Sequence, residues 1–440
     1  MGSQHRPGTG TASGSSGTSH SGTSLPVIGA ERGRPRGPSP FADVIPTLVF
    51  AGLYAAAIGI WLAAGDRLPG GRWMAVHLFT LGVVTNLVLA FSEHFSRAVT
   101  RAPGDRRGWW TWITNAAIVL VLTGLPTGWR PGLAVGATAL TGVVIAAWWR
   151  LRSLRRGAVG ARFTWVVRLY ERAHGAFVHG AVLGALLGLG LVAAPWQLGV
   201  RLAHLHANVL GWGGLTLLAT LVFFGPTMAR TRIDPGADER AARALRHGAT
   251  ALTVAVLLLL LLGLPGGWGT ASRIGAGVAL AGFALAATSV CLPVWRVVLR
   301  ARVTASRPLL LGALVWLIGV VWLDAVVVAS GTWRWLDTLG VMALAGVLAP
   351  AILATLVYLA PMLRGRTAGE RELVRTRLEV GARARASSVN LGVAAVAADA
   401  TRLAGELPLA GLGWTLLTAT FLVTVATLLW PTREPGDGAA

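Results

Sequence analysis

The stretch HLFTLG, residues 77–82, begins the second of a series of long apolar segments, and the same His-x-x-x-Leu-Gly frame returns as HANVLG at residues 206–211. A third segment carries WLDTLG at residues 335–340, with tryptophan in the position of the histidine. A frame that recurs along a chain indicates an architecture of repeated units. Gly82, Gly211 and Gly340 divide the apolar part of the chain into thirds. The sequence therefore predicts three pseudo-repeated units, each an arc of four helices.

The composition is that of a polytopic membrane protein. Of the 440 residues, 54% are hydrophobic and only 13% are charged, which is less charge than a soluble surface of this size requires. The apolar runs are about 20 residues long, the length that crosses a hydrocarbon core. We predict an all-α membrane protein with about twelve transmembrane helices, at residues 45–64, 72–92, 110–128, 132–149, 174–194, 199–225, 247–265, 272–292, 308–329, 335–361, 386–402 and 407–430.

The two ends of the chain lack this apolar character. Residues 1–40 are rich in Gly, Ser and Arg, and such a segment cannot bury enough apolar surface to fold. We therefore predict a disordered cytoplasmic tail at 1–40, a transmembrane domain at 41–431 and a short cytoplasmic tail at 432–440.

The formal net charge of +21 comes from arginine, which accounts for all 39 basic residues. Most of these arginines fall in the loops after the second, fourth, sixth, eighth and tenth spans, and few lie in the alternate loops. Cytoplasmic loops carry the excess of positive charge, so both termini are predicted to be cytoplasmic in a plasma-membrane protein. Because the charge is confined to loops between spans, it indicates lipid contact and no nucleic-acid partner.

Three histidines are predicted near the outer face of the membrane. Histidine in a bilayer is costly unless it pairs, faces a cavity or binds a ligand. His204 and His206 are two residues apart, so on a helix they point about 200° from each other and only one can face a given site. His206 carries the repeated frame, as His77 does. We therefore favour His77 and His206 as a cofactor-binding pair, with His204 as the alternative to His206.

A second candidate cluster lies toward the cytoplasm and pairs His94 with His174 or His179. His77 and His94 cannot share a metal, because their positions are about 25 Å apart along one helix. Neutral imidazole suits copper, zinc and iron, including haem iron. The alternative for each histidine is a structural hydrogen bond to a neighbouring helix.

Asp324 lies inside the ninth predicted span. A carboxylate at that depth must find a hydrogen-bond donor or become protonated. A structural hydrogen bond and a role in ion or proton movement both remain open.

Twelve spans with inside termini and a special position at the start of spans two, six and ten resemble subunit I of haem–copper oxidases and the related nitric-oxide-response haem/copper membrane proteins. The stretches HLHANVLGW (residues 204–212) and YLAP (residues 358–361) are similar to a group of actinobacterial membrane proteins often labelled copper-oxidase-like. The resemblance implies His77 in the haem-ligand position of helix two, haem b or copper as the cofactor, and a periplasmic redox or metal-carrying partner.

The chain also departs from the oxidase pattern. Span ten contains no histidine, and span seven offers only His247, at its cytoplasmic end. A complete oxidase centre therefore cannot be assembled, and a single site between spans two and six remains. The two alternatives are a twelve-span secondary transporter, with Asp324 as its coupling carboxylate, and a structural subunit that keeps the scaffold without a cofactor.

Overall fold

The computed structural model describes residues 44–102, 109–158, 163–231, 234–300, 304–365, 367–401 and 408–430. The predicted tails at 1–40 and 432–440 lie outside these ranges. Within them the chain forms thirteen helices of at least 12 residues and no strand. The helices are α1 (Ile45–Ala64), α2 (Gly71–Thr100), α3 (Trp109–Gly124), α4 (Arg130–Gly157), α5 (Thr164–Gly188), α6 (Ala194–Met228), α7 (Ala237–Gly263), α8 (Trp268–Arg300), α9 (Ser306–Ser330), α10 (Trp333–Arg364), α11 (Ala368–Glu379), α12 (Ala382–Ala400) and α13 (Leu409–Leu429).

The helices are those of a multi-pass membrane protein. In the described part of the chain, 9 of them are long and apolar enough to cross a bilayer, namely α1, α2, α4, α6 to α10 and α13, and α3 is a shorter apolar helix. Large apolar side chains on their outward faces are exposed, for example Val278 (67%) and Leu285 (60%) on α8. A surface of this kind needs a lipid environment.

Each predicted span coincides with a helix, but several helices are longer than predicted. The helix α5 begins at Thr164 and α7 begins at Ala237, both well before the apolar run, and α8 continues to Arg300. Arginine is a good helix former, so arginine-rich ends continue the helices, and hydropathy marks only the apolar part. The helix α11 was not predicted because it is amphipathic and short, and its first turn is closed by a capping box between Thr367 and Glu370.

Helix packing follows one pattern three times. In the first unit α1 packs on α2 and α3 on α4; in the second α5 packs on α6 and α7 on α8; in the third α9 packs on α10 and α12 on α13. The last helix of one unit packs on the first helix of the next, α4 on α5 and α8 on α9. This arrangement gives three units of four helices in sequence order.

The second helix of each unit is widened into a π-helix at the same place. The π segments are Leu78–Thr85 in α2, Ala207–Gly214 in α6 and Met342–Leu348 in α10. A side-chain hydrogen bond reflects the same widening. The Thr85 hydroxyl donates to the carbonyl of Thr80, five residues back, whereas in an α-helix the acceptor is usually four residues back. The π-helix is rare and is often found at functional sites. Three segments in equivalent helices are therefore a structural signature of the repeat.

A glycine at the fifth position of each π segment lets the helix approach the first helix of its unit. A Cβ on Gly82 would overlap the Tyr54 ring of α1, one on Gly211 would lie 2.6 Å from Ala176 Cβ of α5, and one on Gly346 would lie 2.9 Å from Trp316 Cγ of α9. Gly340, which the sequence frame predicted to be equivalent, has open space beside it. The register of the third unit is thus shifted, and Val341, directly before the π segment, occupies the place held by His77 and His206.

Side chains near the ends of the three widened helices contact one another. Phe224 of α6 lies between Phe95 of α2 and Tyr358 of α10, with ring centroids 5.1 Å and 5.4 Å away. At one end of α2 and α10 an exposed ion pair joins Arg72 to Asp337. These contacts join the second helices of the three units to one another.

The arginine-rich helix ends converge at the opposite end of the bundle. Glu93, near the end of α2, binds Arg97 of its own helix at 2.5 Å and Arg150 at the end of α4. Arg155 of α4 binds Glu171 of α5, also at 2.5 Å. These ion pairs place the ends of α2 and α4 and the beginning of α5 on the same side.

Candidate functional site

Two imidazole rings from different units lie side by side near the beginnings of α2 and α6. The ring centroids of His77 and His204 are 6.5 Å apart, and the ring planes differ by only 17°. Both side chains are partly buried. On its own helix His77 stacks against Trp73, with ring centroids 4.1 Å apart, which fixes the orientation of the imidazole.

Hydrogen bonds fix the tautomer of both rings. His77 Nδ1 lies 2.8 Å from the carbonyl oxygen of Trp73, and His204 Nδ1 lies 2.7 Å from that of Gly180 on α5. A carbonyl only accepts, so Nδ1 of each ring donates and carries the proton. The Nε2 atom of each neutral imidazole then keeps its lone pair. Metal-binding histidines typically donate one ring N–H to a carbonyl in this way.

Glycines on α5 form the seat for His204. A Cβ on Gly184 would lie 2.6 Å from His204 Cε1 and 2.8 Å from His204 Nδ1, and a Cβ on Gly180 would overlap the amide of Asn208. Small residues four apart are the usual means by which membrane helices approach closely. The Asn208 amide also donates to the His204 carbonyl at 2.8 Å. The ring of His204 is thus held between two helices.

His206 points away from this pair and binds Asp324 of α9. Its Nε2 atom lies 3.1 Å and 3.2 Å from the two carboxylate oxygens, while its Nδ1 donates to the carbonyl of Leu202. Both residues are buried, with 0% and 6% of their surface exposed. The Nδ1 proton is already donated to the carbonyl of Leu202. The hydrogen bond between Nε2 and the carboxylate therefore requires one further proton, which the imidazole and the carboxyl share.

The partner of His77 is therefore His204, and not His206 as the repeated frame suggested. The two-residue spacing does place His204 and His206 on opposite sides of α6. The repeated frame, however, marks the residue that precedes the π segment in both α2 and α6. In α6 the residue at that position, His206, faces α9, and its imidazole is hydrogen-bonded to the carboxylate of Asp324. The frame is a signature of helix geometry, and only in the first unit does its histidine face another imidazole.

The predicted inner cluster does not form a common site with His179. That side chain is exposed on α5, and its Nδ1 donates to the carbonyl of Gly175. His174 is fully buried and packs edge-to-face on Trp212, with ring centroids 4.7 Å apart. His94 packs on Phe95 of its own helix. A pairing of His94 with His174 stays a prediction.

Three features of the site were missed from sequence. The bond of Asp324 to His206 joins helices far apart in the chain, and the only signal was that each is a polar group in an apolar span. The second feature is the seat formed by Gly180 and Gly184, which the spacing of small residues in the fifth span could have indicated. The third is the stacking of Trp73 on His77, where the four-residue spacing was the available signal.

No family model matches the chain, and no characterised protein matches it significantly. Among the described residues, no group of three or more His, Cys, Asp or Glu side chains is arranged to hold a metal ion. The candidate site is accordingly the two-imidazole pair of His77 and His204.

Proposed function

We propose that this protein is a multi-pass plasma-membrane protein that binds one transition-metal ion, or the iron of a haem, between the imidazoles of His77 and His204. The observation that carries the proposal is the pair of nearly parallel rings, contributed by two units, with both Nδ1 atoms bound to backbone carbonyls. This arrangement leaves two Nε2 lone pairs, which are the form of histidine that metals bind.

The separation of the rings supports a shared ion. Metal–nitrogen bonds of about 2 Å on opposite sides of an ion, plus the distance from Nε2 to the centre of each ring, require centroids roughly 6 Å apart. The observed centroid distance is 6.5 Å. Copper and zinc fit because imidazole suits both, and haem b fits because haem iron accepts axial imidazole.

The arrangement of the helices supports the part of the proposal that relates this protein to the haem–copper oxidases. Three units of four helices, with the special segments in the second helix of each, are what a resemblance to oxidase subunit I implies. The third unit places Val341 where the other two have histidine, so the chain lacks the ligands of a complete oxidase centre. In this proposal the twelve helices α1 to α10, α12 and α13 cross the membrane, and both termini are cytoplasmic.

The position of the site suggests its partner. His77 and His204 lie toward the arginine-poor beginnings of α2 and α6, which the positive-inside rule places outside the cytoplasm. A soluble periplasmic protein that carries metal or electrons would meet the site at this face. The lipid bilayer is the other partner, and nothing in the charge pattern requires nucleic acid.

Metal and haem content tests the proposal directly. The purified protein is reconstituted separately with Cu⁺, Zn²⁺ and haem b, and bound metal and the absorption spectrum are measured. We expect one equivalent of metal or a haem Soret band, lost in His77→Ala and His204→Ala and kept in His247→Ala, whose histidine is exposed in the first half of α7. The absence of binding in the unmodified protein, or equal binding by His204→Ala, would rule the proposal out.

A proton-coupled metal carrier is the second candidate. The observation in its favour is the buried pair of His206 and Asp324, which can take up and release a proton between two units. Uptake of Zn²⁺ or Cu⁺ by proteoliposomes under a pH gradient tests this candidate. Uptake that Asp324→Asn abolishes would establish it, and a lack of uptake in the unmodified protein would eliminate it for these ions.

A further inference from the structure

Three polar atoms between α5 and α6 are buried with no hydrogen-bond partner anywhere in the part of the chain that the structure describes. They are Nε2 of His174, Nε1 of Trp212 and Oγ1 of Thr216. The rings of His174 and Trp212 are in contact, and Thr216 lies about one turn beyond Trp212 on α6. Buried polar groups almost always have a partner. Because two of these side chains are in contact and the third is about one helical turn away, one small partner can account for all three atoms.

The chemistry of the three atoms is complementary to water. His174 Nδ1 donates to the carbonyl of Tyr170 at 2.7 Å, so its Nε2 is an acceptor. The indole Nε1 of Trp212 is a donor only, and the hydroxyl of Thr216 is both. A buried water molecule typically makes about three hydrogen bonds to groups of this kind. One water can donate to the imidazole, accept from the indole and bond to the hydroxyl.

The behaviour of Thr216 is unusual among the threonines of this protein. Thr220, Thr227 and Thr253 each donate to the carbonyl four residues back in their own helix, at 2.7 to 2.9 Å. That bond is the ordinary way in which a membrane helix satisfies a threonine hydroxyl. Thr216 makes no such bond, so its hydroxyl is free to serve a molecule between the helices.

The three atoms lie in the middle of a longer polar line. On α6 the side chains at four-residue intervals from His204 to Thr220 are His204, Asn208, Trp212, Thr216 and Thr220. At one end Tyr170 of α5 bonds to Thr220 through their hydroxyls at 2.8 Å. At the other end the Asn208 amide donates to the backbone carbonyl of His204 at 2.8 Å. Only the middle of the line lacks hydrogen bonds.

We propose that buried water occupies a site bounded by His174, Trp212 and Thr216, and completes a polar line between the Tyr170 hydroxyl and the Asn208 side chain. The ligand class is water or another small molecule that both donates and accepts hydrogen bonds. The site is separate from the His77–His204 pair and stands whether or not that pair binds a metal.

Replacement of Thr216 by valine distinguishes a wet site from a dry one. In a dry site the hydroxyl is an unsatisfied buried group, and its removal with retention of shape is neutral or stabilising. In a wet site Thr216→Val takes a partner from the water and lowers the melting temperature. We expect a lower Tm for Thr216→Val, by more than in the control Thr253→Val. A Tm equal to or above that of the unmodified protein would overturn the proposal.

Radiolytic labelling provides a second measurement on the folded, unmodified protein. Hydroxyl radicals produced by X-rays from water in place oxidise neighbouring side chains, and mass spectrometry reads the yield for each residue. We expect Trp212, only 2% exposed, to be oxidised at least as fast as the more accessible Trp316, whose indole donates to Asn390 at 2.8 Å. We expect a several-fold decrease at Trp212 alone in the double variant His174→Phe, Thr216→Val. Negligible oxidation of Trp212 in the unmodified protein would refute the site.

Discussion

The two histidines of the HLH stretch, His204 and His206, have opposite surroundings although only one residue separates them. His204 lies in a glycine seat opposite another neutral imidazole, whereas His206 is buried against a carboxylate. Helix geometry predicted that they point in opposite directions. It did not predict which one faces His77, because that depends on how α6 is rotated against α2 and α9. Residue spacing constrains the alternatives, and packing between units selects one.

Asp324→Ala should destabilise the protein strongly. Removal of one partner of this buried pair leaves the other without its hydrogen-bond partner, which costs about 1–3 kcal/mol and more where the remaining group is charged. We expect a large loss of stability in thermal or denaturant unfolding in detergent. The double variant His206→Phe, Asp324→Leu should recover much of it, because apolar residues of similar volume often replace such a pair without loss. A single variant as stable as the unmodified protein would show that the pair contributes nothing.

Gly184→Ala should weaken metal binding without a change in any ligand. The new methyl group would lie 2.6 Å from His204 Cε1, so the ring must leave its position against α5 and its present alignment with His77 is lost. Loss of a group that orients a ligand typically costs roughly 10–100-fold in affinity. Gly142→Ala on α4, where a Cβ has open space, is the matched control and should bind as tightly as the unmodified protein. The measurement is a titration with the metal found to bind.

At the scale of helices, hydropathy predicted apolar spans because burial in lipid demands about 20 apolar residues, and 9 helices in the described part of the chain are long and apolar enough to cross a bilayer. It could not predict the polar extensions of α5, α7 and α8 or the amphipathic α11, which hydropathy does not detect. The π segments were also missed, because an apolar span has the same hydropathy whether its backbone is α-helical or π-helical. The repeated frame pointed to the right place in the first two units and was out of register in the third.

The register of the third unit leads to a test with two glycines six positions apart. Gly346→Leu should destabilise α10 by overpacking against Trp316, by about 1–3 kcal/mol. Gly340→Leu should be neutral or mildly stabilising, because the space beside it is open and leucine is the better helix former. Thermal unfolding of the two variants in detergent compares them. Equal destabilisation would favour the register that the sequence frame gives.

At the scale of the whole molecule, the side of the membrane on which each end lies can be tested with single cysteines. The one native cysteine, Cys291, is buried, so Cys291→Ser provides a background. We expect Asp337→Cys to react with a membrane-impermeant thiol reagent in intact cells, and Glu239→Cys, exposed at the beginning of α7, to react only after permeabilisation. The reverse pattern would invert the topology and place the His77–His204 pair on the cytoplasmic side.

Two polar contacts join the third unit to the other two units, and they differ in their exposure to solvent. The Arg72–Asp337 pair joins the first and third units, and its side chains are 68% and 60% exposed, so it contributes about 0–1 kcal/mol and dissolved salt screens it. The dry His206–Asp324 contact between the second and third units is shielded from salt. A rise in ionic strength is therefore expected to weaken the Arg72–Asp337 contact between α2 and α10 and to leave the His206–Asp324 contact between α6 and α9 largely unchanged.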